Sequence, residues 1–229
     1  IGGSPIYLDK VYDDLKDNET LVNNPSVSKL INASKISGRT TSGLGIGLMN
    51  AITNTQYATI KNEETGETRS YVTDPATNYN ILVLDQNLKH NSSITLFNSS
   101  VVRQGSAYDA NVSAGMWSLF DKKNTYNFSG KIAFSKINDN LENPLGYSHT
   151  IGISKNSGRF YFDLNQELTD TKFTSNDLGY FTNNNFITNQ FLIGNRHTTP
   201  KGWYNRLNYN LRTTYSTLFS PIGDITTKY

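Results

Sequence analysis

The chain has 229 residues and a formal net charge of +2; 36 % of the residues are hydrophobic and 17 % charged, both below the usual share of a soluble domain. The near-neutral balance leaves no basic footprint for nucleic acid, and the absence of cysteine removes disulfides, thiolate zinc sites and thiol nucleophiles. With 14 Tyr and 11 Phe the chain is too aromatic for a disordered tail, and it holds no apolar run of the roughly 18 residues that would mark a transmembrane helix.

Small polar residues dominate what remains: 29 Asn, 25 Thr and 22 Ser make up a third of the chain. It opens at Ile1-Gly2-Gly3 without an initiator Met and ends at Tyr229 in Thr/Lys/Tyr-rich sequence, which is read as a fragment of a longer protein. Residues 1–28 read as an extended or loop segment, and 29–229 as a single set of strands.

Period-two alternation then runs through the chain, the signature of strands with two unlike faces. Candidate strands are 29–39 and 44–53, the latter with Leu44, Ile46, Leu48 and Ile52 on one face. Next come 79–88, 92–102 and 109–120. In the last of these, Ala110, Val112, Ala114, Met116 and Phe120 form the apolar set, against Asp109, Asn111, Ser113, Gly115 and Trp117. Residues 125–135 align Tyr126, Phe128, Gly130, Ile132 and Phe134; 146–155 align Tyr147, Ile151 and Ile153; 159–168 align Phe160, Phe162, Leu164 and Leu168. After 186–197, the clearest pattern spans 202–219, with Trp203, Leu207, Tyr209, Leu211, Tyr215 and Phe219 on one face and Arg206 and Arg212 on the other. About ten strands and no helix make the chain all-β.

Three features favour an antiparallel transmembrane outer-membrane β-barrel over a soluble sandwich. Many strands reach the 9–11 residues that a tilted crossing needs. The polar faces carry Ser, Thr, Asn and Gly, as a crowded hydrated lumen would. Short links (40–43, 89–91, 121–124, 156–158 and 198–201) alternate with mostly longer ones (54–78, 136–145 and 169–185), the two-sided loop asymmetry of outer-membrane barrels. An even strand count with both termini on one side then requires strands beyond these ten, so the expected parent barrel has about twelve or more.

On this reading Lys35, Arg39, Asp109, Lys131, Asp163, Glu167, Arg206 and Arg212 face the lumen, because an Arg or Lys on the lipid face at midplane costs about 2–4 kcal/mol. They either pair and fill the lumen, the favoured reading, or line a solute path. Tyr126, Phe128, Phe134, Tyr147, Phe160, Phe162, Trp203, Tyr209, Tyr215 and Phe219 are the lipid-facing and girdle aromatics.

No catalytic signature emerges. His90, His149 and His197 share no metal-ligand spacing, no Gly-x-Ser-x-Gly elbow occurs, and Gly43-Leu44-Gly45-Ile46-Gly47 opens a strand rather than a phosphate-binding helix. Glu63, Glu64, Glu67 and Asp74, and separately Asn138, Asp139, Asn140, Glu142 and Asn143, are oxygen-rich but lack calcium-loop spacing. Neither metal nor cofactor is expected, nor an enzyme in this chain.

The strings Leu30-Ile31-Asn32-Ala33-Ser34-Lys35-Ile36-Ser37-Gly38-Arg39-Thr40, Gly43–Gly47, Asn78-Tyr79-Asn80, Leu82-Val83-Leu84-Asp85-Gln86, Asp109-Ala110-Asn111-Val112 and Lys123-Asn124-Thr125-Tyr126 resemble a Bacteroidota family, domain of unknown function 5916. The likeness is carried by strand and turn sequences over roughly residues 1–135. It implies a barrel C-terminal to a carbohydrate-binding family-9-like domain in a larger envelope protein, and it implies no activity. The function expected is anchoring or scaffolding of an envelope assembly in the outer membrane of a Gram-negative bacterium. Its partners would be lipid or lipopolysaccharide, other envelope proteins or lipoproteins, and glycan. A solute (oligosaccharide) pore and a soluble glycan-binding β-sandwich are the alternatives.

Overall fold

The computed structural model describes residues 3–139, 143–177, 183–221 and 225–227. A four-residue helix, α1 (Lys10–Asp13), and β1 (Glu19–Asn23) occupy the segment read as extended or loop. Then follow β2 (Leu30–Arg39), β3 (Leu44–Thr53), β4 (Gln56–Asn62), β5 (Thr68–Asp74), β6 (Thr77–Asn87), β7 (Ser93–Arg103) and β8 (Asp109–Phe120). The chain continues as β9 (Tyr126–Asn138), β10 (Leu145–Lys155), β11 (Phe160–Thr169), β12 (Phe186–His197), β13 (Leu207–Leu218) and β14 (Ile225–Thr227).

The fold is all-β and antiparallel. Eleven strands form one sheet in the order β14-β13-β12-β11-β10-β9-β8-β7-β6-β3-β2, and β1, β4 and β5 form a second, three-stranded sheet. The ten strands read from the sequence correspond to β2, β3 and β6–β13. Among the described residues the large sheet does not close: β2 pairs with β3 alone and β14 with β13 alone.

Turn chemistry fixes the hairpins. His90 (φ 60°) and Asn91 (φ 56°) both take positive φ between Lys89 and Ser92, the condition of a two-residue type I′ turn that matches strand twist. At 121–125 the Asp121 carboxylate accepts the backbone N–H groups of Thr125 (2.5 Å) and Tyr126 (2.8 Å), and these bonds hold its pKa below the ordinary carboxylate value. Asn124 supplies the positive φ there. The strand expected over 202–219 begins only at Leu207. Residues 202–206 belong to a turn closed by a Lys201–Tyr204 bridge, and Trp203 stands 85 % exposed in it. Phe219 lies just past β13.

Register assigns the two faces. Leu48 pairs with Leu82, Leu84 with Leu96, Leu119 with Phe128, Phe128 with Ile153, Ile153 with Leu164 and Leu164 with Phe191, so one apolar face runs across the sheet. Tyr126, Phe134, Tyr147, Phe160, Phe162, Tyr209 and Tyr215 share it. In β8 the expected faces are reversed. Trp117 pairs with Ile94 and Gly130 and joins the apolar face, whereas Met116 pairs with Thr95 and Lys131 on the other, with Ala110, Val112, Ala114 and Phe120. Bulk explains the swap. The indole lies over Gly130, which has no side chain to exclude it, while the opposite face near the end of the strand is buried and takes small residues such as Ala110 (6 % exposed) and Ala133 (3 %).

The segment read as a loop over 54–78 is the β4–β5 hairpin, which continues the β3–β6 pair. Its short strands flank the charged stretch from Lys61 to Arg69, which hides their alternation. Val11, Ala58 and Ile60 form a small core with Leu15, Leu21 and Tyr71 around them. Arg69 clamps this sheet: its Nε and Nη2 donate to Glu19 (2.9 and 2.7 Å), and its Nη1 donates to Asp14 (2.6 Å). Those guanidinium bonds, with the Lys16 backbone N–H, bring Glu19 from 4.5 down to about 2. A carboxyl with a lowered folded pKa stabilises fully above its unfolded value and stops doing so as pH falls through its folded value. The small sheet is therefore expected to resist limited proteolysis above about 4.5 and to loosen as pH falls toward about 2. Arg69→Met should be cleaved there already at neutral pH; equal resistance of the variant would remove Arg69 from this role.

Candidate functional site

The face opposite the apolar one gathers most of the charged residues singled out in the sequence. Lys35, Arg39, Lys131, Asp163, Glu167 and Arg212 all lie on it by register. Asp109 does not: its parity places it with Asn111 and Trp117, and its carboxylate accepts the Arg103 backbone N–H at 2.8 Å. Arg206 precedes β13 and sits in the turn segment.

A groove of about 300 Å3 opens on the charged face across β9–β13. Two cross-strand rows build it: Ser129–Gly152–Asn165–Gln190, and Ser154–Asp163–Leu192–Arg212. Gly152 makes the depression, since a Cβ there would come within 3.1 Å of Asn165 Oδ1. Asp163 and Arg212 stand two strands apart, about 10 Å by sheet spacing, and neither makes an ion pair among the described residues. A carboxylate, a guanidinium, amides and hydroxyls thus converge without neutralising one another. Toward the 156–158 turn, the Tyr161 ring lies flat over Gly194 and its hydroxyl donates to Asn208 Oδ1 (3.0 Å). The Arg196 guanidinium lies 5.1 Å from that ring.

Arg39 is the one residue of the predicted set that forms an ion pair among the described residues. Its partner is Asp85, which also accepts from Thr95 Oγ1 (2.8 Å), and its Nη1 donates to Gly43 O (2.7 Å). Lys131 and Glu167 flank Thr150 on one row without an ion pair. Within the described sheet, then, Arg39 is paired and the other charges of the set make no ion pair.

A second cluster, missed in the sequence, lies at the long-loop end of this face. Arg103, 8 % exposed, donates through Nη2 to Asp177 (2.5 Å) and through Nη1 to Tyr108 O (2.8 Å), and its guanidinium stacks 4.2 Å from the Tyr108 ring. Tyr108 donates its hydroxyl to Asp177 (2.9 Å); burial, with the Asp177 charge, pushes the phenol up to about 12. Arg103 and Asp177 are 74 residues apart, so no local pattern announces them.

Three of the four acidic residues at 63–74 accept hydrogen bonds from neighbouring segments of the fold. Glu63 accepts from Thr20 (2.5 Å) and Lys61 (3.3 Å), and Asp74 from Ser28 (2.5 Å). Asn140 and Glu142 of the other oxygen-rich stretch lie outside the described residues. His149 bonds Tyr147 (2.8 Å) and Gln166 (3.2 Å) on the apolar face, and His197 stacks on Tyr209. No group of three potential metal ligands occurs among the described residues.

The apolar face also holds polar ladders that alternation alone does not show. Asn50 donates to Asn78 (2.7 Å) and Asn80 (2.8 Å), and Asn98 to Ser113 (2.8 Å) and Asn111 (3.2 Å). They lie toward the long-loop end, above Ile46, Leu48, Leu84 and Leu96.

A family model described as a domain of unknown function, DUF5916, matches residues 1–228. No curated protein and no solved structure matches the chain.

Proposed function

The chain belongs to the DUF5916 family, and on that premise we propose that it forms a wall of an outer-membrane β-barrel, its apolar face to lipid and its charged face to a hydrated lumen. The observation that carries this reading is the uncovered apolar face: Leu48, Leu96, Phe128, Ile153, Phe191 and Leu211 are each 43–70 % exposed. In water each such side chain forgoes roughly half of the about 1.5–3 kcal/mol that full burial yields, too much to leave along a whole sheet. A sandwich would cover this face with a second sheet; the three-stranded sheet instead extends the β3–β6 hairpin. The open edges at β2 and β14 are completed by further strands, since every backbone N–H and C=O in lipid needs a partner.

Within that barrel, Asp163, Arg212, Lys131 and Glu167, which make no ion pair among the described residues, favour a lumen that meets a polar solute over one filled by ion pairs. The buried long-loop end, with Ser135 at 1 % and Ser148 at 3 % exposure, favours the second reading, an anchor for an envelope assembly. Outer-membrane fractionation of the full-length protein, with gel mobility compared before and after boiling, tests the barrel. A membrane-pellet protein that shifts only on boiling is expected; a soluble protein without a heat shift would overturn it. Planar-bilayer conductance then separates pore from anchor. Asp163→Asn with Glu167→Gln should move ion selectivity toward anions if these carboxylates line the path.

A further inference from the structure

The first part of the connection between β11 and β12, residues 170–177, does not stand away from the sheet. It turns back at Asp170, whose Oδ2 accepts the Tyr147 backbone N–H (3.0 Å) and whose Oδ1 accepts those of Lys172 (2.9 Å) and Phe173 (2.7 Å). The Phe173 backbone then passes directly over Gly146 of β10, where any Cβ would strike it, and Phe173 is 6 % exposed. The Thr174 N–H donates to Ser135 Oγ of β9 at 3.0 Å. Asp177 completes the crossing at Arg103 and Tyr108, at the β7–β8 end. Gly146, Ser135 and Arg103 all lie on the charged face by register.

We infer that residues 170–177 are a strap across the lumenal face that constricts the barrel at its long-loop end, latched by the Arg103–Asp177–Tyr108 cluster. This rests on the proposed barrel. The latch is all-or-none on physical grounds. Arg103 is buried, and its Nε has no partner among the described residues. Without Asp177 the guanidinium would be a buried charge lacking its counterion, which is strongly unfavourable, so the strap lifts and Arg103 hydrates. The glycine at 146 and the hydroxyl at 135 are the seats on which the strap rests. The constriction also sits apart from the Asp163–Arg212 groove, so a solute would meet the two in succession.

The chain has no native cysteine, which permits a clean test. The Thr174 backbone N–H lies 3.0 Å from Ser135 Oγ, so cysteines at the two positions are neighbours, and thiol titration establishes that the pair has closed before conductance is recorded. The full-length protein carrying Asp177→Ala, Ser135→Cys and Thr174→Cys would be recorded in planar bilayers, oxidised and then reduced. Wild-type conductance when oxidised and a severalfold rise on reduction is the expected result. Equal conductance in both states overturns the strap, as does the absence of any conductance from protein that still fractionates with membranes and shifts on boiling. Loss of the membrane-associated, heat-modifiable form in the wild type overturns the barrel reading instead.

Discussion

Leu96→Arg is expected to lower sharply the yield of the membrane-associated, heat-modifiable form, whereas Thr95→Arg, one residue away, is expected to leave it intact. Leu96 lies on the apolar face between Leu84 and Gly115 and is 58 % exposed. An arginine there would face hydrocarbon at a cost of about 2–4 kcal/mol near midplane. Two such changes, Leu96→Arg with Ile153→Arg, would together cost about 4–8 kcal/mol, a large share of a typical stability of about 5–15 kcal/mol. Thr95 points the other way, where its hydroxyl already bonds Asp85 (2.8 Å), and an arginine there would meet a carboxylate. The same contrast tests the reversed faces of β8: Met116→Arg should be tolerated and Trp117→Arg should not. Densitometry of boiled and unboiled samples measures each. Equal behaviour of Leu96→Arg and Thr95→Arg would mean that the sheet does not separate lipid from water.

Gly130→Ala is expected to be strongly destabilising, because the added methyl has no room inside the sheet. Its Cβ would lie 2.5 Å from Trp117 Cζ2 and 2.6 Å from the Thr150 carbonyl oxygen. The indole can swing aside; the carbonyl, held in the β9–β10 pairing, cannot. Forced overpacking of this kind costs about 1–3 kcal/mol. Urea unfolding of the refolded protein in micelles should show the loss as a lower midpoint. Adding Trp117→Ala should recover part of it and leave the carbonyl clash, so the two substitutions should be non-additive. Full additivity would separate Trp117 from Gly130.

The ten long strands of the large sheet and the side-to-side alternation of their short connections were readable because both rest on local chemistry: period-two patterning, and turn residues such as Asn91 and Asn124 that tolerate positive φ. Face assignment was readable wherever bulk and polarity agree, as in β9 and β11. It failed in β8, where the strand carries several apolar residues on one side and only Trp117 and Leu119 beyond Asp, Asn, Ser and Gly on the other. Hydrophobicity counts the first set; the vacancy over Gly130 selects the second. The β4–β5 hairpin was hidden because its acidic turn reads as solvated loop. In the fold, Glu63 and Glu64 hydrogen-bond to Thr20 and Asn18 across the small sheet. Arg39 was found but its partner Asp85 was not, and Arg103, Asp177 and Asn165 were passed over. Each acquires its role from strands or loops far away in sequence, and a single sequence carries no signal of that kind.

The central claim is that one face of the sheet meets lipid and the other meets water. It is tested most directly by single cysteines along β9, replacing Phe128, Ser129, Lys131, Ile132 and Phe134 in turn in the full-length protein in membranes. Labelling by a membrane-impermeant maleimide should alternate: positions 129 and 131 react, while 128, 132 and 134 are shielded and their fluorescent adducts, formed with a permeant reagent, are quenched by brominated lipid. Uniform labelling along β9 with no lipid quenching would contradict the account.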